Sequence, residues 1–175
     1  QVNMRTGELM AVEALLRWKN SQLGQVSPVQ FIPIAEATGL IVPIGEWVLR
    51  ESCQQASRWR QQLGLDITVA VNLSARQFRR EDLMVSVQIA LDDYELPAHL
   101  LELEITEGLL MSDPAGAANI MDGLRNMGLK IALDDFGTGY SSLAYLKNFP
   151  LDRLKLDRAF VKDLPENESD KAIAR

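Results

Sequence analysis

Polar and charged residues interrupt or follow the short apolar segments of this 175-residue sequence, which is unusual for buried strands. Most of them are carboxylates, accompanied by one amide and one ammonium group: Glu13, Asn72, Glu104, Asp134, Asp135, Lys155 and Asp157. Charged groups are rarely buried unless they are paired or bound to a metal ion. The pattern therefore predicts that these side chains meet in one polar site.

The composition of this group suits divalent cations. At about 4–6 Å separation, two carboxylates repel each other by about 3–4 kcal/mol at an effective dielectric constant near 20, and a cation removes that cost. Oxygen ligands that include one amide favour Mg²⁺ or Mn²⁺ over zinc. Two such ions about 3.5–4 Å apart would form a site for phosphodiester hydrolysis, in which Lys155 steadies the attacking water or the phosphate oxygens.

A simpler interpretation exists for each residue alone, because a single acidic residue at a strand end is more often a helix cap or an ion-pair partner. Polar residues at the same end of five successive strands are harder to explain in that way. Strand alternation also favours convergence for Glu13, Asn72 and Lys155. Asp134 and Asp135 are adjacent, so both can reach one site only if the strand ends or twists there.

Strand and helix patterns alternate along the chain, which predicts right-handed βαβ units and a mostly parallel sheet. Apolar segments predict strands at residues 10–16, 67–73, 100–105, 130–135 and 151–156. A (β/α)8 barrel and an open doubly wound sheet both fit, although no Gly-x-Gly-x-x-Gly follows the first strand. A barrel usually needs about 250 residues, so five strands in 175 residues predict an incomplete barrel.

Four helices are predicted from apolar spacing and from end signals. The first has Ser27 as its N-cap, Gln30 completing a capping box and Gly39 at its end. The others are expected at about residues 43–63, 79–94 and 114–127, the last one beginning at Asp113.

The composition is that of a soluble globular domain and excludes some classes of partner. Apolar residues make up 47% and charged residues 24% of the chain, and no apolar run reaches the length of a membrane span. Eighteen basic and 24 acidic residues give a net charge of -6, which argues against binding to a nucleic-acid polymer. The single cysteine, Cys53, is expected to pack inertly in a reducing compartment.

Five motifs, in order along the chain, resemble those of the EAL domain family. Glu13-Ala14-Leu15-Leu16-Arg17-Trp18 resembles the signature that names the family. The later motifs are Val71-Asn72-Leu73-Ser74, Glu104-Ile105-Thr106-Glu107, residues 134–143 and Leu154-Lys155-Leu156-Asp157. The resemblance implies a modified (β/α)8 barrel of the TIM type whose first strand is antiparallel, with residues 1–175 forming the N-terminal two-thirds of the domain.

The same resemblance implies metal-dependent hydrolysis of cyclic di-GMP to linear pGpG, with two Mg²⁺ or Mn²⁺ ions. Residues similar to ligands of the first ion are Glu13, Asn72, Glu104 and Asp134, and Asp135 resembles a ligand of the second. Glu13 and Lys155 are the expected catalytic residues. Of these, Lys155 resembles the lysine that orients the attacking water. Leu15, Arg17 and Asp157 are expected to bind the substrate, and Glu107 to anchor the loop of residues 134–143.

The resemblance further implies a cytoplasmic bacterial signalling protein, or the cytoplasmic part of a membrane-anchored one. A homodimer and fused GGDEF or sensor domains are expected, without membrane contact by this segment. Of the family's strand before Glu13, only Gln1-Val2 remains. The family's later strands are not in the chain, and they carry a Glu of the second metal site, a nearby Glu and a substrate-binding Gln. We therefore expect activity from the intact domain and not from these 175 residues alone.

Two other functions stay open at this point. A non-catalytic cyclic di-GMP receptor would keep nucleotide binding and lack turnover. A partner-binding module would use neither metal nor nucleotide.

Overall fold

The computed structural model describes residues 1–136 and 149–157, which form an α/β structure. Its strands are β1 (Ala11–Ala14), β2 (Trp18–Asn20), β3 (Gly24–Val26), β4 (Thr68–Asn72), β5 (Leu101–Thr106), β6 (Lys130–Phe136) and β7 (Arg153–Leu156). Its helices are α1 (Pro28–Thr38), α2 (Ile41–Leu63), α3 (Ala75–Phe78), α4 (Leu83–Asp93), α5 (Glu107–Ser112) and α6 (Pro114–Asn126), with a 3₁₀ helix at Ala98–Leu100. Among these described helices, none is by itself long and apolar enough to cross a membrane, and only the sharply bent pair of α1 and α2 reaches that length and composition together.

Five strands form one parallel sheet in the order β1-β4-β5-β6-β7. Each strand of this sheet lies beside the next one along the chain, so the order never reverses. An open doubly wound sheet does reverse its strand order, at the point where its ligands bind. The sequential order is therefore that of a barrel, and it confirms the predicted incomplete (β/α)8 barrel.

The sheet is strongly curled, as a part of a barrel must be. If it were flat, its first and last strands would lie about 19 Å apart, four times the spacing of neighbouring strands. Lys155 on β7 nevertheless places its Nζ 3.4 Å from Oε2 of Glu13 on β1. Two side chains of this length meet only if the edges of the sheet turn toward each other on the inner face.

The region before and after β1 differs from the simple strand–helix alternation. β1 runs parallel to β4, so the antiparallel first strand implied by the resemblance is represented, among the described residues, by a single antiparallel bridge between Val2 and Leu9. After β1 comes a small antiparallel hairpin of β2 and β3 that the sequence patterns did not predict. Its turn is closed by Asn20, whose Oδ1 accepts hydrogen bonds from the backbone N–H groups of Gln22 and Leu23 (2.8 and 3.0 Å).

The predicted helix ends are partly correct. Helix α1 begins at Pro28 and ends at Thr38, with Gly39 (φ 80°) as the expected C-cap. The side chain of its N-cap Ser27 accepts no capping hydrogen bond within the described structure. The capping box predicted with Gln30 is therefore wrong. A complete capping box occurs instead at the unpredicted α3, between Ser74 and Gln77.

The third predicted helix, at about residues 79–94, begins later in the structure, as α4 (Leu83–Asp93). Helix α3 ends at Phe78, and α4 begins at Leu83, because the intervening residues form turns. In this break the Arg80 side chain folds onto Asp82, with Nε 2.7 Å from Oδ1. Helix α6 agrees with its prediction, and the Asp113 side chain caps it by accepting a hydrogen bond from the Gly116 N–H (3.1 Å).

The apolar core lies between the outer face of the sheet and the helices that cover it. Alternate strand residues such as Val69, Leu103 and Leu133 point into this core and are at most 3% exposed. Cys53 on α2 is buried in the same core, and burial raises the pKa of its thiol to about 12, which agrees with inert packing. Because strand residues alternate between faces, the intervening polar residues are directed to the inner face of the curled sheet.

Gly45 on α2 is a point where two elements approach each other closely. A Cβ at this position would lie 1.9 Å from Nε2 of Gln77, the residue that closes the capping box of α3. We expect Gly45→Ala to displace Gln77 and to destabilise the domain by about 1–2 kcal/mol, the usual cost of a lost cap. Thermal unfolding of the intact protein measures the change.

Gly108→Ala on α5 is the matched control, because a Cβ there meets nothing within 4 Å. Alanine favours helices over glycine, so this change should stabilise the domain by about 0.5 kcal/mol. Equal effects of the two substitutions would contradict the close contact at Gly45.

Candidate active site at the strand ends

The inner face of the sheet carries the predicted site residues. In the parallel register, Asn72 on β4 lies opposite Glu104 on β5, and Thr106 on β5 lies opposite Asp134 on β6. Residues in register point to the same side of a sheet, and those two apart on one strand do so as well. The strands therefore direct these side chains to one place at the carboxyl-terminal edge of the sheet, where barrel active sites are built.

Three carboxylates from three strands converge on one ammonium group. Oxygen atoms of Glu13, Glu104 and Asp134 lie within 4.8 Å of one another. Lys155 places its Nζ 2.7 Å from Glu104 Oε2, 3.3 Å from Asp134 Oδ1 and 3.4 Å from Glu13 Oε2. The single positive charge offsets part of the repulsion among the three negative charges. The structure thus brings together residues that the sequence pattern placed in one cluster.

Asn72 joins this cluster by a direct contact. Its Nδ2 donates a hydrogen bond of 2.7 Å to Oε1 of Glu13, which fixes the Glu13 carboxylate between Asn72 and Lys155. The other oxygen of Glu13 faces the ammonium group of Lys155. The amide nitrogen therefore orients Glu13, while the amide oxygen is the atom of Asn72 that suits a cation.

Glu104 is the most buried member of the cluster, with a side chain that is 0% exposed. Burial raises the pKa of Glu104 to about 7, the charges of Glu13 and Asp134 act in the same direction, and the hydrogen bond from Lys155 opposes them. Burial lowers the pKa of Lys155, but its hydrogen bond to Glu104 and the surrounding carboxylates leave that pKa above its ordinary value. Lys155 is therefore an ammonium ion throughout the neutral range.

A local irregularity of β6 occurs at the adjacent residues Asp134 and Asp135. The β6–β7 register shifts between Leu133 and Phe136, and Asp135 has a positive φ of 53°. Such a bulge rotates the strand, so that neighbouring side chains no longer face strictly opposite sides. Burial and the charges of Asp134 and Asp157 raise the pKa of Asp135. The strand therefore does change direction at the point where the sequence required it.

A cavity of about 490 Å³ opens beside the cluster, a volume in the range of small-molecule sites. Leu15 and Arg17, which follow β1, line it together with Asn72 and Asp135. The Leu15 side chain is exposed, and the guanidinium of Arg17 donates to the backbone oxygen of Leu16 (2.9 Å). Two of the three expected substrate-binding residues thus share one cavity with Asn72 and Asp135.

The cavity also contains residues to which the sequence analysis gave no role. Thr106 and Glu36 are among them. Strand alternation could have indicated Thr106, because it shares a face with Glu104 and lies opposite Asp134. Glu36 lies on α1, which packs against α2, and only this tertiary packing brings it to the cavity, so no sequence pattern indicated it.

The remaining predicted residues are placed as follows. Asp157 follows β7 and is near enough for its charge to raise the pKa of Asp135. Glu107 is the first residue of α5 and is buried. The loop that Glu107 is expected to anchor lies, from residue 137 onward, outside the described residues.

The donor set fits a divalent cation. The second oxygen of Glu104, Oε1, is buried and has no hydrogen-bond partner among the described residues. An orphaned carboxylate oxygen is costly in the protein interior, and a cation among Glu13, Glu104 and Asp134 would give it a partner. All the donors are oxygen atoms, which hard cations such as Mg²⁺ and Mn²⁺ prefer.

The parallel, curled α/β sheet is half of a barrel, so the chain is a barrel-type protein. The carboxylates at its strand ends form a site that can hold a metal ion. The sequence model of the EAL domain family matches residues 1–175, the whole chain. The chain therefore belongs to the EAL domain family.

Relatives with assigned names agree with this membership. The chain is 49% identical over 168 residues to the bifunctional diguanylate cyclase/cyclic di-GMP phosphodiesterase MucR of Pseudomonas aeruginosa, covering 95% of this chain and 24% of MucR. It is 37% identical over 169 residues to the cyclic di-GMP phosphodiesterase PdeR of Escherichia coli, covering 97% of this chain and 25% of PdeR. The chain thus spans about a quarter of the length of these relatives.

Solved structures show the same fold. The MucR phosphodiesterase in complex with c-di-GMP superimposes with a TM-score of 0.91 at 48% identity, over 98% of this chain and 70% of that one. The FimX EAL domain of Pseudomonas aeruginosa bound to c-di-GMP gives a TM-score of 0.86 at 25% identity, over 99% of this chain and 69% of that one.

Proposed function

We propose that residues 1–175 are the N-terminal two-thirds of an EAL domain that hydrolyses one phosphodiester bond of cyclic di-GMP to give linear pGpG. The observation that carries the proposal is the cluster of Glu13, Glu104 and Asp134 around Lys155, at the strand ends and beside a cavity of about 490 Å³. The names of MucR and PdeR and the c-di-GMP in the MucR and FimX structures support this substrate.

Two Mg²⁺ or Mn²⁺ ions are the proposed cofactors. Glu13, Asn72, Glu104 and Asp134 would hold the first ion, and Asp135 would contribute to the second. When bound, the ions supply Lewis-acid activation of the attacking water and stabilise negative charge on the phosphoryl group.

The chain's own residues then bind the substrate, orient the attacking water and neutralise charge on the phosphate. Lys155, held by Glu104, directs its ammonium donors at the attacking water, and Glu13 is oriented for catalysis by the amide of Asn72. Arg17 at the cavity provides a cation for the phosphate, and the exposed Leu15 provides an apolar surface for the substrate. Asp157, whose charge acts on Asp135, contributes to binding of the substrate.

We also make proposals about the loop that follows β6, the oligomeric state and the whole protein. Glu107 anchors the loop of residues 134–143, through which substrate binding, metal binding and homodimerisation are coupled. The whole protein works in the bacterial cytoplasm, with fused GGDEF or sensor domains, and MucR, named as bifunctional, supports such a fusion. Because the later strands complete the barrel, the 175 residues alone are inactive.

The test is product analysis with the intact protein. Purified protein with Mg²⁺ or Mn²⁺ and cyclic di-GMP should produce pGpG, and a chelator should stop the reaction. Arg60→Gln, which removes an exposed ion pair with Asp66 far from the cluster, should leave the rate unchanged. Binding of cyclic di-GMP without any product would instead identify a receptor, and the absence of both would identify a partner-binding module.

A further inference from the structure

A second ion pair lies directly beneath the carboxylate cluster on the inner face of the sheet. Arg153 on β7 donates from its guanidinium to Oε1 of Glu102 on β5 at 2.9 Å. Each partner lies two residues before a member of the upper pair, in which Lys155 contacts Glu104 at 2.7 Å. The same two strands are therefore joined by two stacked ion pairs, one within the cluster and one below it.

Both pairs pass over β6, the strand between their partners. β5 and β7 are separated by two strand spacings, about 9.6 Å in a flat sheet. Ala132 on β6 lies in register with Glu104 on one side and with Arg153 on the other, and its small side chain leaves room for the long ones to meet. Two such contacts across one alanine hold β5 and β7 at a fixed distance and favour the inward curl of the sheet.

The lower pair is buried at one end and has a defined partner. Glu102 is 0% exposed, and its Oε2 has no hydrogen-bond partner among the described residues, so the contact with Arg153 carries much of its compensation. The neighbouring cation in the same row, Lys130, donates to Thr68 Oγ1 at 3.1 Å. Arg153 is therefore the cation that hydrogen-bonds to Glu102 in the described structure.

The backbone ladder between β6 and β7 is irregular beside Lys155. The register of β7 follows Arg153 and Leu154 regularly, but it shifts between Leu133 and Phe136 of the partner strand, beside Lys155. Pairing resumes at Leu156, opposite Phe136, so Lys155 lies beside the irregular part of the ladder. The Arg153–Glu102 contact adds a side-chain link between β7 and β5 just before this irregularity.

We infer that Glu102 and Arg153 are positioning residues: their ion pair beneath the cluster holds β7 against β5 so that Lys155 meets Glu104. Neither residue lines the cavity described above. They act through Lys155 and do not touch the substrate. The inference rests on the proposed function only for its kinetic consequence, because Lys155 is there the residue that orients the attacking water.

The kinetic test uses Arg153→Gln in the intact protein. Displacement of a catalytic group by about 1 Å can slow a reaction about 100-fold, so we expect a loss of 10- to 100-fold in kcat with little change in KM. Arg153→Lys keeps the charge and should recover most of the loss. The double variant Glu102→Leu/Arg153→Met removes both charges without leaving one buried alone, so it should remain folded and still lose kcat.

Arg125→Gln is the matched control, because Arg125 pairs with Asp152, which immediately precedes the same strand but lies outside the inner ion pair. It should keep the wild-type kcat. A loss in this control equal to that of Arg153→Gln, or full kcat in the folded double variant, would overturn the inference.

A structural readout separates the inference from the proposed function. In metal-free crystals of the intact protein, the Lys155 Nζ–Glu104 Oε2 distance should be short in the wild type and beyond about 4 Å in Arg153→Gln, the limit of an ion pair. An unchanged distance would refute the positioning role. If the wild type does not hydrolyse cyclic di-GMP, the proposed function fails, and this distance still decides on the positioning role.

Discussion

Glu104→Gln is expected to reduce the hydrolysis of cyclic di-GMP by about 1,000-fold or more, because it removes charge from the centre of the proposed metal site. The amide has nearly the shape of the carboxylate, so packing is preserved. Removing a buried charge whose pKa is raised to about 7 also relieves repulsion from Glu13 and Asp134. The folded protein should therefore be present and inactive.

Three measurements on the intact protein check this prediction: kcat/KM with Mn²⁺, calorimetric Mn²⁺ binding and thermal unfolding without metal. Glu51→Gln, the same substitution on the exposed side of α2, should leave all three unchanged. Activity of Glu104→Gln within about 10-fold of the wild type would exclude Glu104 as an essential ligand.

Lys155→Met is expected to destabilise the metal-free protein by about 3 kcal/mol, the lower end of the cost of breaking a buried ion pair. The lower end applies because the Lys155 side chain is 21% exposed. Without the ammonium group, Glu13, Glu104 and Asp134 keep their mutual repulsion and lose their counter-charge. Turnover should also fall by about 100-fold or more, since the water loses its orienting group.

Calorimetric unfolding of the intact protein, with chelator and then with Mn²⁺, tests the counter-charge role. Mn²⁺ should raise the melting temperature of Lys155→Met more than that of the wild type, because the ion takes over the missing positive charge. Lys19→Met, at an exposed position of β2, is the control and should behave as the wild type. Equal stabilisation of Lys155→Met and the wild type would contradict this role of Lys155.

The sequence predicted the sheet and the cluster well because both depend on periodic patterns. Alternation places Asn72 and Glu104 on the face opposite the apolar core, and the register then brings them side by side. The condition attached to Asp134 and Asp135, that the strand must twist there, is met by the shifted register and the positive φ of Asp135.

Other features could not be predicted, because they depend on contacts between distant segments. Ser27 and Ser74 are each followed three residues later by a glutamine. The full capping box forms only at Ser74, where Gln77 is held against Gly45 of another helix. Arg153 lies 51 positions from Glu102, and only the curl of the sheet over Ala132 brings them together. A single sequence gives the periodicity of an element and not the packing partner of each side chain.

An anomalous diffraction map of the intact protein crystallised with Mn²⁺ tests most directly whether the carboxylate cluster binds a metal ion. We expect a manganese peak among Glu13, Glu104 and Asp134, about 2.1 Å from Oε1 of Glu104, the buried oxygen that has no partner within the described structure. A map without manganese at these carboxylates, and with Lys155 still bound to all three, would contradict it.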